Sequence, residues 1–225
     1  MKTTGILTII LVLVLLSCNR NNSTKKTIIE QTENLQYIDT LKDKEEIQNL
    51  IRQTLNWAES QNSINFLPVL TDSTNSINIG FNLNQHKSNL DKLSATKFFT
   101  NGFIENYNQI ILTLDKNLKN NEYGKWLVGD LPPFTFASDI DPWTLCQDVP
   151  YDKPNPFENI EVKITNLNDN KAEGFWKWGK LEIYSDSSWK DFLYSFSVIK
   201  ENDKWQISYL QGFDFNEAIK KMDYE

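Results

Sequence analysis

The feature that most constrains the fold of this chain is a change in the spacing of its apolar residues. In residues 43–60 and 94–120, apolar positions recur every three to four residues, as on one face of an α-helix. From Ile160 to Tyr209 they alternate with polar positions, as in β-strands with one buried face. Helices followed by consecutive strands predict an α+β domain, in which N-terminal helices pack on a curved antiparallel C-terminal meander sheet.

The first predicted helix begins at Asp43, which forms a capping pattern with Glu46. It is expected to end near Ser60, with Trp57 at the edge of its apolar face. Trp57 is interpreted as a flank of the core, with a ligand contact as the alternative. The apolar positions at helical spacing are Ile47, Leu50, Ile51, Thr54, Leu55 and Ala58.

A longer helix is expected between Ser94, its predicted N-cap, and Asn120. Residues 61–88 are predicted to form a turn and an irregular polar stretch, with a short helix as the alternative. His86, the only histidine of the chain, falls in this stretch. The apolar face of the longer helix consists of Phe99, Phe103, Tyr107, Ile110, Ile111, Leu114 and Leu118.

Residues 123–158 contain six of the seven prolines and are predicted to form a long loop. Loops of this length in a compact domain usually carry function or wrap the core. Four strands are expected after it, and Gly174 and Gly179 predict bulges or bends in the second. The predicted strands, separated by turns rich in Asn, Asp and Ser, are 160–164, 172–184, 192–198 and 205–209.

The N-terminus carries an apolar run from Ile6 to Leu16, too short for a comfortable span of a hydrocarbon layer about 30 Å thick. The residues at the end of this run, Leu15-Leu16-Ser17-Cys18, resemble the lipobox of bacterial lipoproteins. In that family the cysteine thiol is diacylglycerylated, the preceding peptide bond is cut and the new amine is usually acylated. The resemblance implies a signal peptide over residues 1–17 and a lipidated, membrane-anchoring Cys18. The alternatives are an ordinary signal peptide with a chance cysteine, or a signal anchor.

The segment after Cys18 is polar. Asn19–Lys42 is rich in Asn, Thr, Lys, Glu and Gln and has no periodic apolar face, which predicts a disordered tether over residues 18–42. A single α+β domain is expected over residues 43–225. Asn rather than Asp follows Cys18, so the lipoprotein interpretation predicts a cell-envelope location on the periplasm-facing side of the outer membrane.

The net charge limits the classes of ligand that the chain can bind, and the cysteine content limits its disulfides. Removal of Lys2 with the signal leaves 22 of the 23 basic side chains against 30 acidic ones, a formal balance of −8. This balance is unfavourable for binding nucleic acid, whose phosphates need clustered Lys and Arg. With Cys18 lipidated, Cys146 has no disulfide partner and is expected to be buried as a small apolar side chain. A catalytic pair with His86 has no local support in the sequence.

The predicted helices, the proline-rich crossing and a final meander ending in K-W-Q-I-S-Y-L (204–210) resemble the cone-shaped fold named for nuclear transport factor 2. The loop D-P-W-T-L-C-Q-D, from Asp141 to Asp148, also resembles one in a family of envelope lipoproteins without an established function. Cone-fold proteins enclose an apolar pocket, and some are dehydratases or isomerases while many only bind or scaffold. Their enzymes use a His–Asp pair, or a Tyr with a carboxylic acid, which this chain does not match. The resemblance therefore transfers no catalytic residue and no cofactor.

Three carboxylates in the central loop have two interpretations. Asp139, Asp141 and Asp148 offer oxygen ligands of the kind that Ca²⁺ prefers. They are also common turn formers beside proline. The segment lacks the glycine turn and the distal Glu of a calcium loop, which favours turn chemistry, so no metal site is predicted.

Three tryptophans also have two interpretations. Trp143, Trp176 and Trp178 offer an aromatic platform for a ligand, or they fill the core. Trp143 and Cys146 are expected to point inward, while the carboxylates of Asp141 and Asp148 are expected to cap backbone donors of the turn. The candidate ligand or partner contacts are Asp139, Asp141, Trp143, Gln147, Asp148, Trp176 and Trp178.

Three functions are compatible with these observations. The favoured hypothesis is a membrane-anchored, non-enzymatic module that binds a small apolar ligand or another envelope protein. A tethered immunity or inhibitor protein against a basic partner is the second, since the acidic balance suits such a partner. An enzyme working in the cone is the third. A pocket lined by carboxylates favours the enzyme, whereas a filled interior with a surface apolar patch favours a protein partner.

Overall fold

A computed structural model describes residues 20–60, 63–150, 156–181 and 185–222. Cys18 and the predicted signal peptide lie outside the described residues. The helices are α1 (Arg20–Ala58), α2 (Leu83–Thr96), α3 (Asn101–Lys119), α4 (Ser187–Lys190) and α5 (Phe215–Ala218). The strands are β1 (Val69–Asp72), β2 (Ile77–Phe81), β3 (Trp126–Leu127), β4 (Ile160–Leu167), β5 (Lys171–Trp178), β6 (Tyr194–Glu201) and β7 (Lys204–Leu210). Short 3₁₀ turns cover Pro156–Asn159 and Gln211–Phe213.

The fold class predicted from the sequence is confirmed. The protein is α+β, with helices and two antiparallel sheets. Four strands form a meander in the order β4-β5-β6-β7, and three shorter strands form a second sheet in the order β1-β2-β3. Among the described residues, those from Glu46 onward make one compact unit, and those up to Glu45 belong to another.

Helix α1 corrects two expectations. It begins at Arg20, so the segment predicted to be a disordered tether is helical, and the predicted N-cap Asp43 lies inside the helix. The segment contains neither Gly nor Pro, and Lys, Glu, Gln and Leu are good helix formers. Extension of an existing helix adds one hydrogen bond for each residue fixed, so a polar segment can join it without an apolar face.

The C-terminal part of α1 packs as predicted. Ile47 and Ile51 are buried within the compact unit, as are the other face positions Leu50, Thr54 and Leu55. Two polar side chains of the same helix reach the outer strand of the meander. Gln48 donates to the Val162 carbonyl at 3.1 Å, and Arg52 donates to the Ile160 carbonyl at 3.3 Å. Two outward carbonyls of β4 are therefore bonded to α1.

Helices α2 and α3 replace the single long helix of the prediction. Ser94 lies inside α2 and is not an N-cap, which makes that prediction wrong. The chain leaves α2 at Lys97, in the left-handed conformation, and restarts at Thr100, whose hydroxyl accepts from the Phe103 amide. The predicted apolar face is confirmed in α3, where Phe103, Tyr107, Ile110, Ile111, Leu114 and Leu118 are all buried. Phe99 is also buried, but it lies in the linker before α3.

The linker between α2 and α3 contacts the other edge of the meander at β7. Ile207 of β7 exchanges backbone hydrogen bonds with this linker, donating to the Phe98 carbonyl and accepting from the Thr100 amide. The Gln206 side chain adds a bond to the Lys97 carbonyl at 3.1 Å. Each outer strand of the four-stranded sheet is thus hydrogen-bonded at one or two positions of its outward edge to another part of the same chain.

The meander follows the predicted alternation with two differences. The second strand ends at Trp178 rather than Tyr184, because Gly179 bonds to the Asn159 carbonyl and Lys180 turns into the left-handed conformation. The register shift near Gly174 lies in the partner strand, between Ile164 and Asn166. A Cβ at Gly174 would lie 2.2 Å from the Lys163 carbonyl oxygen, so glycine permits the close approach of β4.

The small sheet was not predicted, and a buried carboxylate attaches it to α3. Asp115 accepts a hydrogen bond from the Phe81 amide at 2.8 Å and pairs with Lys119 at 2.6 Å. A Cβ at Gly80 would lie 2.6 Å from the Asp115 carboxylate, so the close approach of β2 to Asp115 also requires glycine at this position. Among the described helices, none is long and apolar enough to cross a membrane.

We expect Asp115→Ala to destabilise the domain by about 1–3 kcal/mol, because the buried Phe81 amide loses its acceptor. Urea unfolding monitored by tryptophan fluorescence measures the change. The control is Asp91→Ala on the exposed face of α2, which should stay within about 0.5 kcal/mol of the wild type. Equal effects of the two substitutions would contradict the attachment.

Candidate functional site

The central loop is a tight turn closed by its own backbone. The Asp141 carboxylate accepts from the Trp143 amide at 2.8 Å, and its backbone pairs with Cys146. Leu145 adopts a left-handed φ of 52°, which lets the chain return after one turn. Turn chemistry, the interpretation favoured from the sequence, is therefore the observed role of Asp141.

The outer part of the loop is held differently from the prediction. Gln147 donates to the Asp139 carboxylate, which joins the two ends of the loop. Asp148 is exposed, and its side chain makes no hydrogen bond with the described residues. The expectation that Asp148 caps a backbone donor is therefore wrong, because its side chain is exposed to solvent. No three His, Cys, Asp or Glu side chains converge as metal ligands within the described ranges.

Trp143 points inward, as the sequence predicts, and is 2% exposed. Its ring centroid lies 4.7 Å from Phe213, 5.5 Å from Phe66, 5.7 Å from Phe99 and 5.9 Å from Trp57. Trp57 is thus a flank of the core. Such ring contacts add to the area that each aromatic side chain buries. The layer between the helices and the sheet is filled by aromatic rings.

A buried tyrosine fixes the loop to the meander. The Tyr194 hydroxyl donates to the Pro142 carbonyl at 2.7 Å and accepts from the Gly212 amide at 3.0 Å. Burial raises the pKa of Tyr194, so the hydroxyl stays protonated and keeps its donor. A Cβ at Gly212 would lie 1.9 Å from the Pro142 oxygen. The sequence placed Tyr194 in the core but gave no signal of this bridge.

Trp176 and Trp178 belong to a second aromatic group on β5. They are 1% and 3% exposed, and their rings meet edge to face at 5.0 Å. Phe157 stacks on Trp178, and Phe192 contacts both tryptophans. The core interpretation of these two residues is therefore correct, and the aromatic platform is not formed.

Cys146 is half-buried on the inner side of the loop. Burial raises the pKa of its thiol, the polar indole of Trp178 lowers it, and the negative charge of Asp141 raises it further. A raised thiol pKa reduces the thiolate fraction at neutral pH, and the thiolate is the reactive form. Cys146 therefore has the properties of a structural side chain.

A groove of about 530 Å³ opens beside the central loop. One wall is a stripe of α2 at helical spacing, formed by Gln85, Ser88, Asn89 and Lys92. The remaining lining comes from the end of α1, the segment after it, and the loop; it consists of Ala58, Ser60, Ser63, Ile64, Asn65, Phe66, Asp141 and Trp143. Of the candidate residues predicted from the sequence, only Asp141 and Trp143 line it.

The segment between α1 and β1 is fastened to α2 along the groove. Asn89 donates to the Asn65 carbonyl at 2.6 Å, and Lys92 donates to the Ser63 carbonyl at 3.0 Å. The sequence analysis missed this wall because its residues are polar and the segment was expected to be irregular. Asn82 accepts from the amides of Asn84 and Gln85, and this Asn cap was the available signal for α2.

Burial dominates the electrostatics of the loop carboxylate. It raises the pKa of Asp141, the bond from the Trp143 amide lowers it, and the nearby negative charge of Glu59 raises it. Asp141 forms no ion pair with any residue of the described chain. The groove therefore contains a partly desolvated carboxylate without a cation beside it.

His86 was placed wrongly by the sequence analysis, in a polar stretch outside the core. It lies on α2, is 2% exposed and faces α3, where Nε2 contacts the Asn108 amide oxygen at 3.0 Å. Its ring meets Tyr107 edge to face at 5.2 Å. Nδ1 has no hydrogen-bond partner among the described residues. Burial lowers the pKa of His86, so the buried ring is neutral at pH 7.

Comparison with known proteins adds no relative. No family model, curated protein or solved structure matches the chain significantly.

We expect Trp143→Ala to destabilise the domain by about 3 kcal/mol or more, because it removes a buried ring that four others contact. Asp141→Ala should cost about 1 kcal/mol, the usual loss of a capping bond. Asp148→Ala is the matched control and should stay within about 0.5 kcal/mol of the wild type. Urea unfolding measures all three, and a Trp143→Ala effect no larger than the control would contradict the packing.

His86 should make stability depend on pH. Its pKa is lowered on folding from an ordinary value near 6.5, so the unfolded chain takes up the proton first as the pH falls. The stabilisation is complete above pH 6.5 and is lost as the pH falls below it, with a slope of at most about 1.4 kcal/mol per pH unit. Urea unfolding at pH 7.5 and 5.5 measures the loss. His86→Gln should reduce it, and an unchanged pH dependence in that variant would contradict the assignment.

Proposed function

We propose that this protein is a membrane-anchored envelope lipoprotein whose folded domain is a non-enzymatic module that binds another protein through the groove. The observation that carries the binding part is the contrast between a filled interior and an open polar groove. The lipobox-like sequence ending at Cys18 supports the anchoring part.

The filled interior argues against chemistry inside the domain. Cone-fold enzymes place their reacting groups in an open pocket between the helices and the sheet. Here that layer holds the ring of Trp143, with Phe213, Phe99 and Phe66 around it. The same packing leaves little room for a small apolar ligand. A protein partner bound at the surface therefore fits better than a substrate in the interior.

The groove has the chemistry of a surface contact. Gln85 and Ser88 make no side-chain hydrogen bond with the described residues, so their polar atoms are available to a partner. Neutral amides and hydroxyls bind polar groups reversibly and with low desolvation cost compared with buried charges. Lys92 and Asn89 are already bonded to the opposite wall, which holds the groove in shape.

A tethered inhibitor or immunity protein is the second candidate, and a specific observation favours it. The mature chain has a formal balance of −8, and the groove adds a carboxylate without a neighbouring cation. Complementary charge speeds encounter with a basic partner and selects against acidic ones. This candidate is a special case of the proposed binding module.

The proposal can be tested with tagged full-length protein cross-linked in intact cells of a bacterial host that makes it. We expect a reproducible partner with the wild type and at least a tenfold loss of it with Ser88→Trp, which fills the groove. Lys87→Trp, on the neighbouring exposed position of α2, is the matched control and should retain the partner.

The same cells test the anchor. Cys18→Ser should lose metabolic fatty-acid label and leave an uncleaved or mis-cleaved chain. Label on the Cys18→Ser variant would contradict the lipoprotein part. Equal capture by the Ser88→Trp and wild-type proteins would contradict the groove as the binding site.

A further inference from the structure

We infer that the groove accepts a basic side chain of the partner protein, with its cationic group against the Asp141 carboxylate. The inference rests on the proposed function and names the chemistry that the groove selects.

The Asp141 carboxylate has one oxygen that is bonded within the loop and one that is free to bind a partner. One carboxylate oxygen, Oδ1, accepts from the Trp143 amide at 2.8 Å, and this bond fixes the orientation of the group at the groove. The other oxygen has no hydrogen bond to any residue of the described chain. A carboxylate held in this way can accept one more donor without changing its rotamer.

The charges near Asp141 favour a cationic ligand over an anionic one. Glu59, the residue directly after α1, is the charged group that acts on Asp141, and it is also negative. Lys92, the one basic residue in the described lining, donates to the Ser63 carbonyl and is absent from the charges acting on Asp141. The loop side of the groove is therefore negative and lacks an internal counter-ion.

The α2 wall of the groove supplies further hydrogen-bond acceptors. The side-chain oxygens of Gln85 and Ser88 are acceptors that bond to none of the described residues. A guanidinium or ammonium group carries several N–H donors and no acceptor. Such a group can use the free Asp141 oxygen together with an amide or hydroxyl oxygen of the walls. An acidic ligand would meet Asp141 and Glu59 as like charges.

Trp143 offers a readout inside the site. It lines the groove, and its indole Nε1 has no acceptor among the described residues. Its indole N–H signal should therefore respond to a ligand beside Asp141. With all seven tryptophans labelled with ¹⁵N, Trp143→Phe identifies the signal to follow.

The test uses the mature, lipidated chain in detergent micelles, titrated with Nα-acetyl-arginine amide. We expect a saturable shift of the Trp143 indole signal in the millimolar range, and at least a tenfold weaker response to Nα-acetyl-citrulline amide. Citrulline has nearly the same shape as arginine without its charge, so the pair isolates the cation.

Two matched variants locate the contact. Asp141→Asn keeps an oxygen acceptor for the Trp143 amide and removes the charge, and it should weaken the arginine response at least tenfold. Asp148→Asn removes an exposed charge of the same loop and should leave the response unchanged. If Asp141→Asn does not fold, the comparison of arginine with citrulline on the wild type still decides the question.

The outcomes separate the inference from the proposed function. Equal responses to arginine and citrulline, or no saturable response to arginine, would overturn the basic-side-chain inference. The proposed function would still stand if Ser88→Trp abolished partner capture in cells. Loss of the arginine response only in Asp141→Asn would support the inference.

Discussion

The Tyr194 hydroxyl joins three separate parts of the chain, and the rest of the site depends on this junction. It comes from β6, donates to Pro142 in the central loop and accepts from Gly212 after β7. The next residues after these two partners are Trp143 and Phe213, whose rings lie 4.7 Å apart. The bridge therefore sets the ring packing of the interior and, through the loop, the position of Asp141 at the groove.

Long periodic patterns predicted the fold class because they report burial directly. The face of α3 and the alternation of β6 survive in the structure, since one side of each contacts the core. The small sheet escaped prediction because β1 has four residues and β3 has two, too few to show a period. Ser94 and Thr100 are chemically similar caps, and pairing of the following linker with β7 decides between them.

The sequence predicted the part of the site formed by the central loop, but it did not predict the walls of the groove. Large apolar residues between prolines indicated that the loop turns inward, and Trp143 does so. The opposite wall is a polar stripe of α2, about fifty residues earlier in the chain, and its proximity to the loop is a tertiary property. His86 was misplaced for the same reason, because a polar neighbourhood in sequence does not report burial against α3.

The bonds at the two edges of the meander are relevant to the proposed membrane anchor. Anchored proteins diffuse in two dimensions, where copies collide far more often than the same number in solution. A sheet with free outer strands would invite pairing between such copies and growth of ordered aggregates. Here Gln48 and Arg52 occupy carbonyls of β4, while Ile207 of β7 is bonded to its own linker. These bonds reduce the number of backbone groups on the two outer strands that a neighbouring copy could pair with.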